Sequence, residues 1–358
     1  EGDKPYNVRL NLTAFTNIYR DVIESLSAKP FENEVSLIAG ENEDNAPPDA
    51  LTKFVEDVNG GGDSLTLFAA DVFFYGIHSV VDWLLIEYPK SDGRIKTVAD
   101  AKKAGRKPYW VRVAGPNVLE VKQEIFNGEE CLTYVRYVED WKVSERKVRV
   151  YKYSPKDGVT YELWVETEKE VGKTKSRFRL EESGSMTISR IPMVSFSTGR
   201  RKGRSQAYLP VMEDVVDLSL KLYRNESGLE YAKSLTAYPM LTGNGVEPEK
   251  DESGKPKPLL TGPSRVLYAP PSKNGGPPGS WTYVEPNAQS LVFLSDDIEK
   301  TKREIRELGR QPLTAQTDNL TVVTTQVAAS KARTAVQQWA INLKNTLEKA
   351  FLQSKPCS

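Results

Sequence analysis

The sequence predicts an α+β chain in which helical segments flank an antiparallel β unit and two long helices bracket a small insert. Three observations carry that prediction. Apolar residues recur at threes and fours over 7–27, 208–237, 287–308 and 326–352, the period of amphipathic helices. Between 109 and 196 the pattern changes to alternating, β-branched runs, which is the signature of strands. Residues 239–286 are rich in Pro, Gly and Lys, with only short apolar runs.

Taken in order, Val8, Leu12, Phe15, Ile18, Val22, Ile23 and Leu26 predict one helix over 7–27. A polar, Pro-containing loop over 41–48 leads to a short helix over 51–58, broken by Gly60, Gly61 and Gly62. Asp63 or Ser64 then caps a helix running to about Tyr75. The most apolar stretch, 79–88, is interrupted by Asp82 and Glu87 and reads as a buried strand with His78 at its edge. Runs at 110–113, 131–138, 147–153, 160–166 and 176–180 predict strands. Asn127-Gly128 and Asp157-Gly158 between them predict type I′ hairpin turns.

Downstream, 208–237 predicts a helix about 42 Å long with Pro210 in its first turn. The insert suggests short strands at 239–241, 266–268 and 281–284. A second long helix over 287–308 stops at Gly309 and Pro312. Residues 313–325, dominated by Thr, Gln, Asn and Asp, read as a polar loop before a closing helix over 326–352.

Composition narrows the function. At 358 residues the chain exceeds the size at which one core stops growing, so two or three substructures are expected. Lys and Arg number 49 and Asp and Glu number 49, so the formal net charge is zero. A nucleic-acid coat protein needs a basic excess to neutralise phosphates, so contact with DNA is expected to be loose or local. Cys131 and Cys357 are far apart and in no metal-like spacing, which predicts neither a zinc site nor a disulfide framework. No run approaches the roughly 18 apolar residues of a membrane span. The start at Glu1 without methionine and the polar end at Ser358 suggest a piece of a longer product.

Motifs for catalysis are discounted one by one. The basic turn 199–205 has its glycines one residue too close for a phosphate-binding loop, and Arg204 stands where that loop has lysine. It remains the basis of the alternative reading, an enzyme of nucleic-acid metabolism. His78, the only histidine, has Ser79 and Asp82 nearby, but triad members meet in space rather than by adjacency, and no nucleophile elbow is present. Asp296, Asp297 and Glu299 are read as compensating a helix dipole. The mixed charges Lys300, Lys302, Arg303, Arg306, Glu304 and Glu307 predict a solvated or intersubunit helix face. No catalytic residue, cofactor site or metal site is expected.

The order of elements (β unit, long helix, compact insert, second long helix, polar loop, third helix) resembles the tailed-bacteriophage portal protein family, in particular a branch found in phages and prophages. The resemblance lies in Ile191-Pro192-Met193-Val194, in 209–243 (LPVMEDVVDLSLKLYRNESGLEYAKSLTAYPMLTG) and in 283–352, with weaker matches at 11–31 and 74–89. It implies a structural, non-enzymatic ring, commonly of twelve subunits, at one capsid vertex of the virion, assembled in the host cytoplasm. Residues 1–206 would be a wing, 207–237 and 287–309 stem helices, 238–286 a small α/β clip, 310–325 a tunnel loop and 326–358 a helix toward a short or absent crown. The resemblance further implies that Thr314, Gln316, Thr317, Asn319, Thr321, Thr324 and Thr325, with Lys300 and Arg303, face double-stranded DNA. Lys250, Lys255, Lys257, Arg265, Tyr268, Lys273 and Trp281 would face the terminase large subunit and the head-to-tail adaptor. Major capsid and scaffolding proteins are the other implied partners, and no membrane is. A head-to-tail connector or scaffold of other design is a further alternative.

Overall fold

The computed structural model describes residues 3–38, 49–89, 107–142, 145–167, 177–236, 240–246, 250–255, 278–284, 289–309 and 322–354. These form a mixed α and β structure that divides into two compact units, Ile18–Val216 with Arg306–Ser358 and Glu1–Asn17 with Asp217–Ile305.

The helices before the sheets are α1 (Asp3–Leu12), α2 (Ile18–Ala28), α3 (Asp49–Glu56) and α4 (Leu65–Ser79). The single helix expected over 7–27 is therefore two. The Thr13 amide and hydroxyl both donate to the Arg9 carbonyl, at 3.1 and 2.7 Å, and the Thr16 amide then donates to Glu226 Oε2 at 3.0 Å, a side-chain acceptor in place of the backbone carbonyl that a continued helix would use. Ser64 caps α4 by accepting from the Leu67 amide, and α4 runs four residues past Tyr75. His78 consequently lies in the last helical turn, exposed, with its Nδ1 3.2 Å from the Tyr19 hydroxyl, and not at a strand edge.

The larger unit is built on two antiparallel sheets. Strands β1 (Val81–Glu87), β2 (Tyr109–Val113) and β8 (Met193–Ser197) make one, in the order β2-β1-β8. Strands β3 (Val118–Phe126), β4 (Glu129–Asp140), β5 (Lys147–Ser154), β6 (Gly158–Thr167) and β7 (Arg177–Met186) make a five-stranded meander in sequence order. Trp83, Leu85, Val113 and Met193 of the first sheet share a buried core with Val135, Tyr137, Tyr151 and Val159 of the second. Asn127 and Gly128 both take positive φ (52° and 85°), as a type I′ turn requires. At the β5–β6 hairpin only Gly158 does (69°). The loop holds a third residue opened by Pro155, so the type I′ expectation there gives way to a turn with one left-handed position.

A helical layer covers the three-stranded sheet. The helix Val322–Gln353 is long, 32 residues, and follows in the chain after two others, Glu213–Thr236 and Gln289–Leu308; in chain order these are α7, α5 and α6. Phe54 of α3, Trp110 of β2 and Phe351 of α7 meet edge to face, with 4.7 Å between the Trp110 and Phe351 ring centroids. Phe73 of α4 stacks on Phe196 of β8, which is possible because Gly76 carries no Cβ: one would fall far inside contact with the Phe196 ring. β8 is a sheet edge, and α7 covers it. Asn342 Nδ2 donates to the Ser197 carbonyl at 3.1 Å and the Thr346 hydroxyl to the Ser195 carbonyl at 3.1 Å, leaving less of the edge open to other strands.

After β8 the chain makes a small hairpin of β9 (Arg200–Arg201) and β10 (Tyr208–Leu209). The long helix expected from residue 208 thus starts at Glu213. Pro210 precedes it, and its 24 residues span about 36 Å. In the smaller unit β11 (Met240–Asn244) pairs antiparallel with β12 (Ser280–Val284), between α5 and α6 in sequence. Trp281 lies over Gly243, where a Cβ would crowd the indole. The strand expected at 266–268 lies outside the described residues. Helix α6 starts at Gln289 and α7 at Val322, so the last residues of the expected 313–325 loop, Thr324 and Thr325 among them, belong to a helix.

Candidate functional site

Three places concentrate polar chemistry. The first is the seam between α5 and α6. Asp297 Oδ1 accepts from Lys221 Nζ at 3.2 Å and its Oδ2 accepts from Asn225 Nδ2 at 2.8 Å. Glu226, buried on α5, lies 3.5 Å from Lys302 Nζ, which also donates to Glu299 at 2.9 Å. Burial disfavours the Lys302 charge, but Glu299 and Glu226 outweigh it and hold the ammonium above its ordinary pKa. α1 joins here: Arg9 Nε donates to Ser227 Oγ at 2.9 Å, and the Ser227 and Thr13 hydroxyls share a hydrogen bond at 3.0 Å. Asp296, Asp297 and Glu299 stand in the middle of α6, so dipole compensation is not their role. Asp297 instead holds α5.

The expected site residues fall as follows. Lys300 and Arg303 lie on the exposed face of α6, opposite buried Ile298, Thr301 and Ile305, and Lys300 Nζ is 3.8 Å from Glu304. Lys250 and Lys255 flank a turn in which Asp251 Oδ1 accepts from the Ser253 and Lys255 amides, at 3.0 and 2.8 Å. Trp281 sits on β12 against Gly243. Thr324 and Thr325 are in the first turn of α7. Thr314, Gln316, Thr317, Asn319, Thr321, Lys257, Arg265, Tyr268 and Lys273 lie outside the described residues.

The second place is the join of the two sheets. Tyr109 donates to Glu87 Oε2 at 2.6 Å, and burial together with that bond pushes its phenol up to about 12. Arg149 forks onto Glu139 at 2.8 and 3.0 Å and approaches Glu87 at 3.5 Å. The Tyr137 hydroxyl is buried without a hydrogen-bond partner in the structure, and burial pushes it well above the ordinary range. Asp82, wholly buried on β1, pairs with Arg112 at 3.0 Å and accepts the Gly115 amide at 2.9 Å. Arg112 also lies 3.7 Å over the Tyr75 ring. These groups tie strands together, with no nucleophile placed against a base. Among the described residues no group of three His, Cys, Asp or Glu side chains could hold a metal ion.

The third place is the β9–β10 hairpin, residues 200–209. It is no phosphate loop: a strand, not a helix N-terminus, follows the glycines, and α5 opens with Glu213 and Asp214, which repel phosphate. Arg201 makes a two-pronged pair with Glu130 at 2.7 Å on both arms, and that bond lowers the Glu130 pKa. Sequence reasoning found the basic turn but not this partner, which is 71 residues away. Glu226 and Lys302 were missed for the same reason, although a carboxylate at helical spacing between Leu222 and Leu229 is a signal of a buried partner.

A family model described as a domain of unknown function (DUF4055) matches residues 211–354, from just before α5 to the end of α7. No curated protein matches the chain.

Proposed function

We propose that the chain is the repeating subunit of a phage portal, a ring at one capsid vertex through which double-stranded DNA is packaged and ejected. It acts as a structural platform for terminase and the head-to-tail adaptor. One observation carries the reading: within a single compact unit, two long helices bracket a two-stranded β module and leave large apolar side chains uncovered. Phe293 is 76% exposed and Tyr283 65%, with Val284 and Val292 beside them in sequence. Apolar side chains concentrated in this way need a neighbour to cover them, and a heterologous interface repeated around an axis supplies one in every subunit. In this reading most of the stem and the clip fall within the unit Glu1–Asn17 with Asp217–Ile305, and residues 18–206 of the wing fall within the other unit, which also holds the C-terminal helix. Zero net charge suits a channel in which DNA slides, because each strong phosphate contact in the bore would retard it. The packaging ATPase is a separate partner in this reading.

Native mass spectrometry of the purified chain, with negative-stain images, tests it. The expected result is a closed ring, commonly of twelve, around a hollow axis. A monomer that hydrolyses ATP would overturn the reading in favour of a nucleic-acid enzyme.

A further inference from the structure

The β9–β10 hairpin has a use that the ring does not absorb. Residues 199–206 hold four cations, Arg200, Arg201, Lys202 and Arg204, and no anion, in a chain whose formal net charge is zero. Arg201 is spent inside the protein. Besides Glu130 it donates to the carbonyls of Arg204 at 2.9 Å and Ser205 at 2.6 Å, so it ties the tip down from beneath. Gln123 also donates to the Arg204 carbonyl, and Gln206 bonds Gln123 and accepts from Tyr208. At the base, a Cβ on Gly199 would collide with the Leu209 carbonyl, so the two strands close tightly there. The outcome is a braced finger whose carbonyls are engaged and whose other three cations, Arg200, Lys202 and Arg204, stand exposed.

We infer that this finger is a binding site for the phosphate backbone of nucleic acid, with Arg200, Lys202 and Arg204 as its contacts. Two of the three contacts are arginines, whose planar forks suit phosphate oxygens. Gly203, with open space where a side chain would be, lets a strand approach the turn closely. A two-stranded ribbon of this kind is narrow enough to enter a major groove about 12 Å wide.

Fluorescence anisotropy of the full chain with a labelled 30-base-pair duplex tests this across salt concentrations. Three phosphate contacts give a log–log slope of about −2.7, hence roughly 40-fold weaker binding at 200 mM than at 50 mM salt. Arg200→Gln/Lys202→Gln/Arg204→Gln should remove about 2.7 from the slope, and Arg200→Gln alone about 0.9. Arg200→Lys/Arg204→Lys should keep the wild-type slope, as should Lys53→Gln/Lys156→Gln/Arg179→Gln, which neutralises three exposed cations elsewhere. Arg201 is retained throughout, so the hairpin keeps its brace, and an unchanged melting curve checks that. The inference is overturned if the triple variant keeps the wild-type slope, if no duplex binding is found at 50 mM salt, or if polyglutamate of equal charge binds more tightly than the duplex, which would make an acidic protein segment the partner. None of these outcomes depends on ring closure, so native mass on the same samples separates failure of the finger from failure of the ring.

Discussion

Asp82 is fully buried on a central strand, and desolvation raises its carboxyl to about 6 even though Arg112 and the Gly115 amide favour the charged form. The folded state therefore holds this proton more tightly than the unfolded chain, whose value is near 3.8. Its contribution to stability is fully present below about pH 4 and is lost as pH rises through about 6, a difference of at most about 3 kcal/mol. Wild type minus Asp82→Asn, followed by urea unfolding between pH 4 and 7, should show that slope, because asparagine cannot titrate. A flat difference would show that Arg112 keeps the carboxylate ionised throughout. Asp82→Ala should cost about 3 kcal/mol at pH 7, since it strands Arg112 and the Gly115 amide without their acceptor.

At the level of elements, the join of α4 to the sheet depends on a glycine and a threonine. Val80, with φ at 70°, is a β-branched residue in a left-handed conformation, and it turns the chain directly from α4 into β1. Thr198 stabilises that turn by donating its hydroxyl to the Gly76 carbonyl at 2.9 Å and its amide to the Val80 carbonyl at 3.0 Å. Gly76→Ala should cost about 2–3 kcal/mol by pushing against the Phe196 ring, and Phe196→Leu should recover part of that in a double-mutant cycle. Additive costs would show that the ring does not meet the new methyl. For α7, Leu343→Ala should cost about 2–5 kcal/mol in thermal or urea unfolding. Thr346→Val should cost about 1 kcal/mol and speed amide exchange in β8, because the Ser195 carbonyl loses its donor while the side-chain volume is kept.

For the molecule as a whole, the apolar side chains of α6 decide assembly if the chain forms a ring. Val292→Asp/Phe293→Asp should leave melting of the purified chain within about 0.5 kcal/mol, because both residues are exposed in the single chain, while shifting native mass from ring to monomer. A ring that survives this double charge would place the interface elsewhere. Helix α6 falls within 211–354, the stretch matched by the DUF4055 family model.

Much of this architecture was legible along the chain because it follows from local patterns. The apolar period placed α6 and most of α5 and α7, a cap at Ser64 placed the start of α4, the alternation placed β4 to β7 of the meander but not β3, and Asn127-Gly128 placed a type I′ turn, since only residues tolerant of positive φ fit there. Local pattern failed where a distant side chain competes for backbone groups. The break at 13–17 needs Glu226, 210 residues from Thr16, and the basic turn becomes a braced hairpin only when Glu130 and Gln123 arrive from the meander. Asp82, Glu226 and Lys302 are ordinary charges in the sequence. Tertiary packing alone decided that Asp82 and Glu226 would be buried and that all three would be paired, because desolvation makes a charge depend on its partner, and the chain order does not specify which partner comes near.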